Sequence, residues 1–317
     1  MASKKVTLLA ILVMVVSSGA FAQLGGVLDY QDSTKIKSKK LPQFNEWKSN
    51  SKSNFFPPAP RAMGQLSLNG GLMLMDGDCP TSPGFNVGVS YRKALGYVVS
   101  LRAGINYAQA RGLDYRRNGN LGNSRALDVY KEPNPLDPTR VGPGWYVHSF
   151  KSDIFTPSLD LIINFNNVMF HRKSSKFAFY GLVGYTPTIY RTKLDALAGA
   201  RPYGFNALNP NFFDRPRKDI RNDLKDFFDG DYETFANVND RAPNFNNSAN
   251  DKFQIRHSIN VGIGTEFRIA SRMSLGFELK QIFTRDDYID GWFLNNGGLT
   301  PDKDNLLFSN LFINFNL

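Results

Sequence analysis

From Phe253 to Ile269 the chain alternates between two kinds of residue without losing phase. Phe253, Ile255, His257, Ile259, Val261, Ile263, Thr265, Phe267 and Ile269 fall on one side; Gln254, Arg256, Ser258, Asn260, Gly262, Gly264, Glu266 and Arg268 fall on the other. A period of two is the repeat of an extended strand, because successive side chains point to opposite faces. At about 3.3 Å per residue the stretch would be on the order of 55 Å long, well beyond a common globular strand. One face is greasy along that whole length and the other carries Arg and Glu. Such a strand fits a closed barrel in a bilayer, apolar outward and polar inward.

Seven further stretches share the pattern. The first is Gln65 to Met75; in the second, Phe85, Val87, Val89 and Tyr91 oppose Asn86, Gly88, Ser90 and Arg92. The third sets Val99, Leu101, Ala103, Ile105 and Tyr107 against Ser100, Arg102, Gly104 and Asn106. In the fourth, Leu159, Leu161, Ile163 and Phe165 oppose Asp160, Asn164 and Asn166, and a basic turn from His171 leads to the fifth, Phe177 to Leu194. After the long stretch at Phe253, the seventh sets Leu275, Phe277, Leu279 and Phe283 against Ser274, Gly276, Glu278 and Lys280. The last puts Leu311, Ile313, Phe315 and Leu317 on one face and Asn310, Phe312, Asn314 and Asn316 on the other.

The connections run medium, tight, long, short, longest, tight, medium, so the longer ones share one end of an up-and-down barrel. The expected fold class is all-β: a transmembrane antiparallel up-and-down β-barrel of eight strands, with long extracellular loops at about 109–148 and 193–251 and short periplasmic turns. The terminal strand is expected to close the ring against Gln65–Met75, which removes both sheet edges. A soluble sandwich or a lipocalin-like barrel would reverse the faces. The charges all stand opposite the aliphatics, which favours the membrane version.

The start of the chain reads as a secretory signal peptide over 1–22. Lys4 and Lys5 precede an apolar run from Val6 to Val16, too short to span a bilayer as a helix, and Ala20-Phe21-Ala22 is a cleavage site. A retained anchor is the alternative. Residues 23–62 form a polar periplasmic arm or linker, stiffened by Pro57-Pro58-Ala59-Pro60, and 63–317 form the barrel. The expected location is the outer membrane of a Gram-negative cell. The formal charge of +10 is spread along the chain, which gives nucleic acid no patch to bind and suits anionic lipid headgroups. Cys79 is the only cysteine, so an intrachain disulfide is excluded.

These segments also resemble a known family. LNGGLMLMDGD near Leu68, GVSYRKALGYVVSLRAGINYAQARG from Gly88 to Gly112, LDLIINFNNVMFHRKSSKFAFYGLVGYTPTIYRTKLDA from Leu159 to Ala196 and the closing LLFSNLFINFNL are similar to the N-terminal β-barrel region of OmpA-family outer membrane proteins of Bacteroidetes type. Many members continue into calcium-binding repeats and a peptidoglycan-binding domain. This chain stops at Leu317, so a barrel without the periplasmic peptidoglycan-binding domain is expected, and no catalytic residue comes with the resemblance.

The inward face predicts a charge network of Arg92, Arg102, Asp160, Arg256, Glu266, Arg268, Glu278 and Lys280. In a lumen just wide enough for side chains these must pair, because an isolated buried charge is costly. Such a set is either a structural plug or a narrow ion path. Asp223, Asp226, Asp229, Asp231 and Glu233 crowd one loop, but their spacing is not that of an EF-hand. His148, His171 and His257 lack zinc-ligand spacing, and His148-Ser149 with Asp153 lacks a nucleophile motif. No metal, cofactor or catalytic residue is assigned. The expected role is structural or surface-interacting and non-enzymatic; the alternatives are a narrow porin or a subunit of an outer-membrane secretion or assembly complex. Expected partners are outer-membrane lipid and lipopolysaccharide, the barrel-assembly machinery and other envelope proteins, met through the arm or the loops.

Overall fold

The computed structural model describes residues 36–49, 64–95, 98–119, 121, 125–132, 142–165, 177–199, 201–205, 208, 210–236, 253–270, 273–292 and 303–316. The expected signal peptide, most of the expected arm, the turn 171–176 and Leu317 lie outside the described residues. The strands are β1 (Gly64–Asp76), β2 (Thr81–Ala94), β3 (Val99–Leu113), β4 (Ser149–Asn164), β5 (Phe177–Tyr185), β6 (Thr188–Leu194), β7 (Leu197–Ala198), β8 (Arg201–Pro202), β9 (Thr234–Ala236), β10 (Gln254–Arg256), β11 (Ile259–Arg268), β12 (Met273–Asp286) and β13 (Asp304–Asn316). Two helices accompany them, α1 (Leu41–Lys48) and α2 (Arg217–Phe227).

β5 and β6 are one stave in two pieces, and so are β10 and β11; β4 pairs with both β5 and β6, β5 with β11, and β6 with β10. The interruption has a covalent cause. Pro187 separates β5 from β6, and Pro157 stands in the facing gap of β4. Neither residue has an N–H to give to a ladder. Counted as staves, the sheet is a closed antiparallel ring of eight, sealed where β1 pairs with β13 from Gln65↔Asn316 to Asp76↔Asn305. Leu311, Ile313 and Phe315 point outward at this seam, and Asn310, Phe312 and Asn314 point in.

The outer wall carries an aliphatic belt: Leu68 is 53% exposed, Ile105 49% and Leu311 61%. Aromatic residues bound it at both ends. Toward the loops, Phe85, Tyr107, Phe155 and Phe253 touch in sequence, with centroids 6.0, 5.0 and 5.7 Å apart. Toward the turns, Phe165 and Phe179 lie 5.4 Å apart, with Tyr91, Phe267 and Phe315 exposed at that end. Ten residues separate Phe155 from Phe165, about 33 Å along the strand, or roughly 25 Å in height at a tilt near 40°. That is the height of the apolar band on a transmembrane barrel.

Above the loop-side aromatics the rule reverses, which corrects the expectation that every charge opposes the aliphatics. Arg111, Lys151, Asp153, Arg191 and Lys193 occupy outward positions there, while Ala108, Ala110, Phe150, Ile154, Tyr190 and Leu194 are buried inward. The strands therefore rise past the apolar band, with charge outside and apolar residues inside. The loop boundaries also change. β3 runs to Leu113, and the region between β6 and β10 contains α2, which buries Ile220 and Leu224. Within residues 23–62, Leu41–Lys48 is helical, with Pro42 in the first turn, where its missing N–H costs nothing, and Phe44 and Trp47 buried beside Ile36.

Candidate functional site

The turn-side half of the lumen is filled by charge. Arg102 is clamped between two carboxylates, donating to Asp160 Oδ2 at 2.9 and 3.1 Å and to Glu278 at 2.6 and 2.9 Å. Lys280 adds a second cation to Asp160 at 3.3 Å, and Asn260 donates to the same carboxylate at 2.9 Å. Tyr180 donates to Glu278 at 2.7 Å, and its ring lies 5.6 Å from the Arg92 guanidinium. Arg92 pairs with Glu266 at 3.4 Å and donates to Asn164 at 3.1 Å. Glu266 Oε1 accepts from Gln65 and Asn314, each at 2.7 Å, and from Ser274.

Three cations thus face three carboxylates, and all but Arg102 are buried. A neutral, multiply bonded set is the arrangement under which buried charge is tolerated. Glycines make the room. A Cβ on Gly184 would collide with the Asp160 carboxylate, and one on Gly264 with the Tyr180 ring. What remains is a cavity of about 20 Å³ lined by Ser67, Asn69, Asn106, Asn310 and members of the network, room for about one water.

Six of the eight sequence-predicted charges meet in this set. Arg256 does not: it pairs with Asp286 at 2.9 Å nearer the loop end, is partly exposed, and shares that carboxylate with the Tyr190 hydroxyl at 2.6 Å. Arg268 sits half-buried two residues beyond Glu266, toward the turns. Missed were the neutral partners Gln65, Asn164, Tyr180, Asn260, Ser274 and Asn314. Their only signal in the sequence was the inward phase they share with the charges.

Above the network apolar residues enter the lumen beside buried Ser152, Thr192, Thr284 and Asp286. Met73, Ala108, Phe150, Ile154, Tyr190, Ile282, Leu306 and Phe308 are almost wholly buried, and they form one cluster with loop residues including Leu127, Tyr130, Phe205, Ile220 and Leu224. Aromatic contacts knit this cap together: Phe205 lies 5.2 Å from Tyr130, 5.5 Å from Trp145 and 5.6 Å from Phe227. Tyr130 donates to the Ala196 carbonyl at 2.7 Å and accepts from Tyr203 N–H at 2.9 Å, joining the two longest loops. His148 binds the Asp290 carbonyl through Nε2 at 2.9 Å, and its Nδ1 meets the Tyr146 hydroxyl at 2.9 Å. Burial holds His148 below its ordinary pKa, which fits a neutral ring donating from Nε2 and accepting at Nδ1. Cys79 N–H donates to Asp290 at 3.2 Å, which ties in the first loop, and burial pushes its thiol pKa up.

Tyr203 stands between two carboxylates, 2.6 Å from Asp195 and 2.8 Å from Asp229. One hydroxyl proton cannot serve both. The hydroxyl is placed to donate to either carboxylate, and burial raises the Asp195 pKa to about 7. The acidic run does not converge further. Asp223 and Asp226 lie on α2 and Asp229, Asp231 and Glu233 beyond it, and no three His, Cys, Asp or Glu side chains among the described residues are grouped to hold a metal. His148 and Asp153 are likewise apart, since Asp153 faces outward to Tyr107 at 2.9 Å.

On the cap surface, arginines lie over aromatic rings. Arg117 is 5.0 Å from Trp145 and 4.9 Å from Phe213, Arg217 4.6 Å from Tyr115, and Arg215 4.4 Å from Phe212. Tyr115, Arg116, Arg117, Phe213 and Asp214 line a shallow depression of about 340 Å³.

No protein-family model and no curated protein matches the chain. Among solved structures it is similar to Neisserial surface protein A, at 10% identity and a TM-score of 0.37, covering 80% of this chain and 96% of that one. It is also similar to a major outer membrane protein of Thermus thermophilus, at 12% identity and a TM-score of 0.37, covering 80% and 99%. The attachment invasion locus protein Ail of Yersinia pestis gives 8% identity and a TM-score of 0.35, covering 81% and 99%. At these values the likenesses transfer no function. The barrel itself rests on this chain's own strand pairing.

Proposed function

We propose that this chain is an integral outer-membrane barrel with a closed lumen, acting through the folded cap it presents above the membrane. It carries a structural or surface-interaction role and catalyses no reaction. One observation carries this reading. Along the axis, a charge network enclosing a cavity of about 20 Å³ is followed by a packed layer in which one hydrophobic cluster runs on into the cap around buried Ser152, Thr192 and Asp286. A solute path would need polar walls and open space in both halves. The cap, by contrast, has the chemistry of a recognition surface: a shallow depression with arginine and aromatic side chains around it, residue types enriched in binding hot spots. Outer-membrane lipid, the assembly machinery that inserts the barrel and other envelope proteins are the partners this reading calls for.

Purified protein reconstituted in planar bilayers should give no steady conductance. A stable open level in the wild type would overturn the closed-lumen reading in favour of the narrow porin.

A further inference from the structure

The outer wall carries a row of like charges that strand pairing has placed side by side. Arg111 on β3 is in register with Lys151 on β4, and Lys151 with Lys193 on β6. Arg191 follows two residues below Lys193, in register with Asp153. All four cations point outward from three adjacent staves. Cations directly opposite one another across a sheet destabilise it unless an anion lies between them. The carboxylate at hand is Asp153, which is engaged by Arg191 at 3.6 Å and by Tyr107 and Gln109 at 2.9 and 3.1 Å. Glu233, further along β9's approach, is turned to the backbone N–H groups of Ala196 and Leu197. No carboxylate among the described residues lies within salt-bridge distance of Arg111, Lys151 or Lys193.

Depth decides what anion belongs there. On β4, Lys151 stands four residues beyond Phe155 of the loop-side aromatic girdle, about 10 Å above it along a strand tilted near 40°. Directly beneath the row lie Tyr107, Phe155 and Phe253, and beneath them the aliphatic belt. A ligand held there would have its anionic group at the height of the headgroups and apolar chains running down the wall. Lys193 lies over the Phe235 ring at 4.8 Å and Arg191 over Phe253 at 4.8 Å, which fixes the stems of both cations at the wall.

Building on the outer-membrane reading above, we propose that Arg111, Lys151, Arg191 and Lys193 form a docking site for the phosphorylated headgroup of a lipid in the loop-side leaflet. The phosphate sits among the cations, relieving their cross-strand repulsion, and the acyl chains pack on the belt below Tyr107 and Phe155. The site lies outside the lumen and is separate from the cap depression.

The test titrates the full-length protein in detergent micelles with diphosphorylated lipid A, reading bound lipid by native mass spectrometry. The double variant Lys151→Gln/Lys193→Gln should bind roughly 30-fold more weakly, the loss expected for two basic side chains at a headgroup interface. Lys151→Arg/Lys193→Arg should bind as the wild type does, and lipid A stripped of its phosphates should bind the wild type no better than the glutamine variant binds intact lipid A. Binding by the glutamine variant within twofold of wild type would overturn the site, as would complete displacement by inorganic phosphate at matched phosphate concentration. The same samples report on the underlying reading. A glutamine variant that keeps the heat-dependent gel shift of a folded barrel but loses no lipid defeats only the docking site. A wild type that fails to insert into bilayers defeats the barrel reading itself.

Discussion

Followed along its length, β4 obeys two opposite rules. In its turn-side half Leu159 and Leu161 face out and Asp160 faces in; in its loop-side half Lys151 and Asp153 face out and Phe150 and Ile154 face in. What changes between them is the surroundings outside, hydrocarbon below the Phe155 girdle and headgroups and water above it. The lower half is consequently held by paired charge in a narrow lumen and the upper half largely by apolar packing, so the two should fail in different ways. The largest effect is expected where pairing is densest. Arg102→Met removes the salt bridge to Glu278, leaving that carboxylate with the Tyr180 hydroxyl, and leaves Asp160 with only Lys280 and Asn260; breaking a buried pair from one side costs about 3–5 kcal/mol. Urea unfolding of vesicle-inserted protein should show that loss, and replacing Arg102, Asp160, Glu278 and Lys280 together by apolar residues should recover much of it. A loss under about 1 kcal/mol for the single variant would mean that the network is not what holds the lower half.

The upper half offers the matching break. Phe205 is buried against Tyr130, Trp145, Tyr203, Phe227 and Phe228. Phe205→Ala should cost about 3 kcal/mol by cavity formation, and the cost should fall on the cap. Protease should then cut the loops while the barrel still runs as a folded species on a gel. If barrel and cap instead unfold together, the halves are one cooperative unit and the distinction drawn from β4 is only geometric.

The lower half was legible in the sequence because both of its causes are local. Period two assigns a face to every residue, and six of the eight inward charges meet because a lumen this narrow leaves them nowhere else to go. Arg256 escaped that logic: nothing in its own stretch says that the strand has already climbed to the level of Asp286, thirty residues away. The cap was illegible for a related reason. Its core joins residues such as Tyr130 and Phe205, from separate loops with no periodicity of their own. The reversal in β4 is plainly written in Phe150-Lys151-Ser152-Asp153-Ile154, but alternation alone does not say which face looks outward. That requires the height of the aromatic girdle, a property of the assembled ring.

The position of that girdle can be tested by placing one charge at two heights. Leu159→Arg puts a guanidinium near the middle of the belt, 51% exposed to what surrounds the barrel. It should cost about 2–4 kcal/mol in vesicles, whereas Gln109→Arg, above Tyr107, should cost about 0–1 kcal/mol. Equal costs at the two sites would remove the membrane boundary from where the aromatic rings place it.

The smallest effect expected is one of pH, and it belongs to the upper half alone. The cap holds two carboxylates, Asp195 and Asp229, against a single Tyr203 hydroxyl placed to donate to either. Folding raises Asp195 from the ordinary carboxyl range to about 7, and burial also raises Asp290. A carboxyl that holds its proton more tightly when folded adds stability that is complete below its unfolded pKa, near 4. That contribution is lost as pH rises through the folded value, so cap stability should fall between about pH 4 and pH 7. Asp195→Asn removes the titrating group and should flatten the part of that decline belonging to Asp195, leaving the parts from Asp290, Asp304 and Glu233. Amide hydrogen exchange of Ala196, Tyr203 and Gly230, measured across that range in both proteins, separates the two. An undiminished pH dependence in Asp195→Asn would show that the proton taken up by Asp195 is not what stabilises the cap, and that its pH dependence arises at the other buried carboxyls.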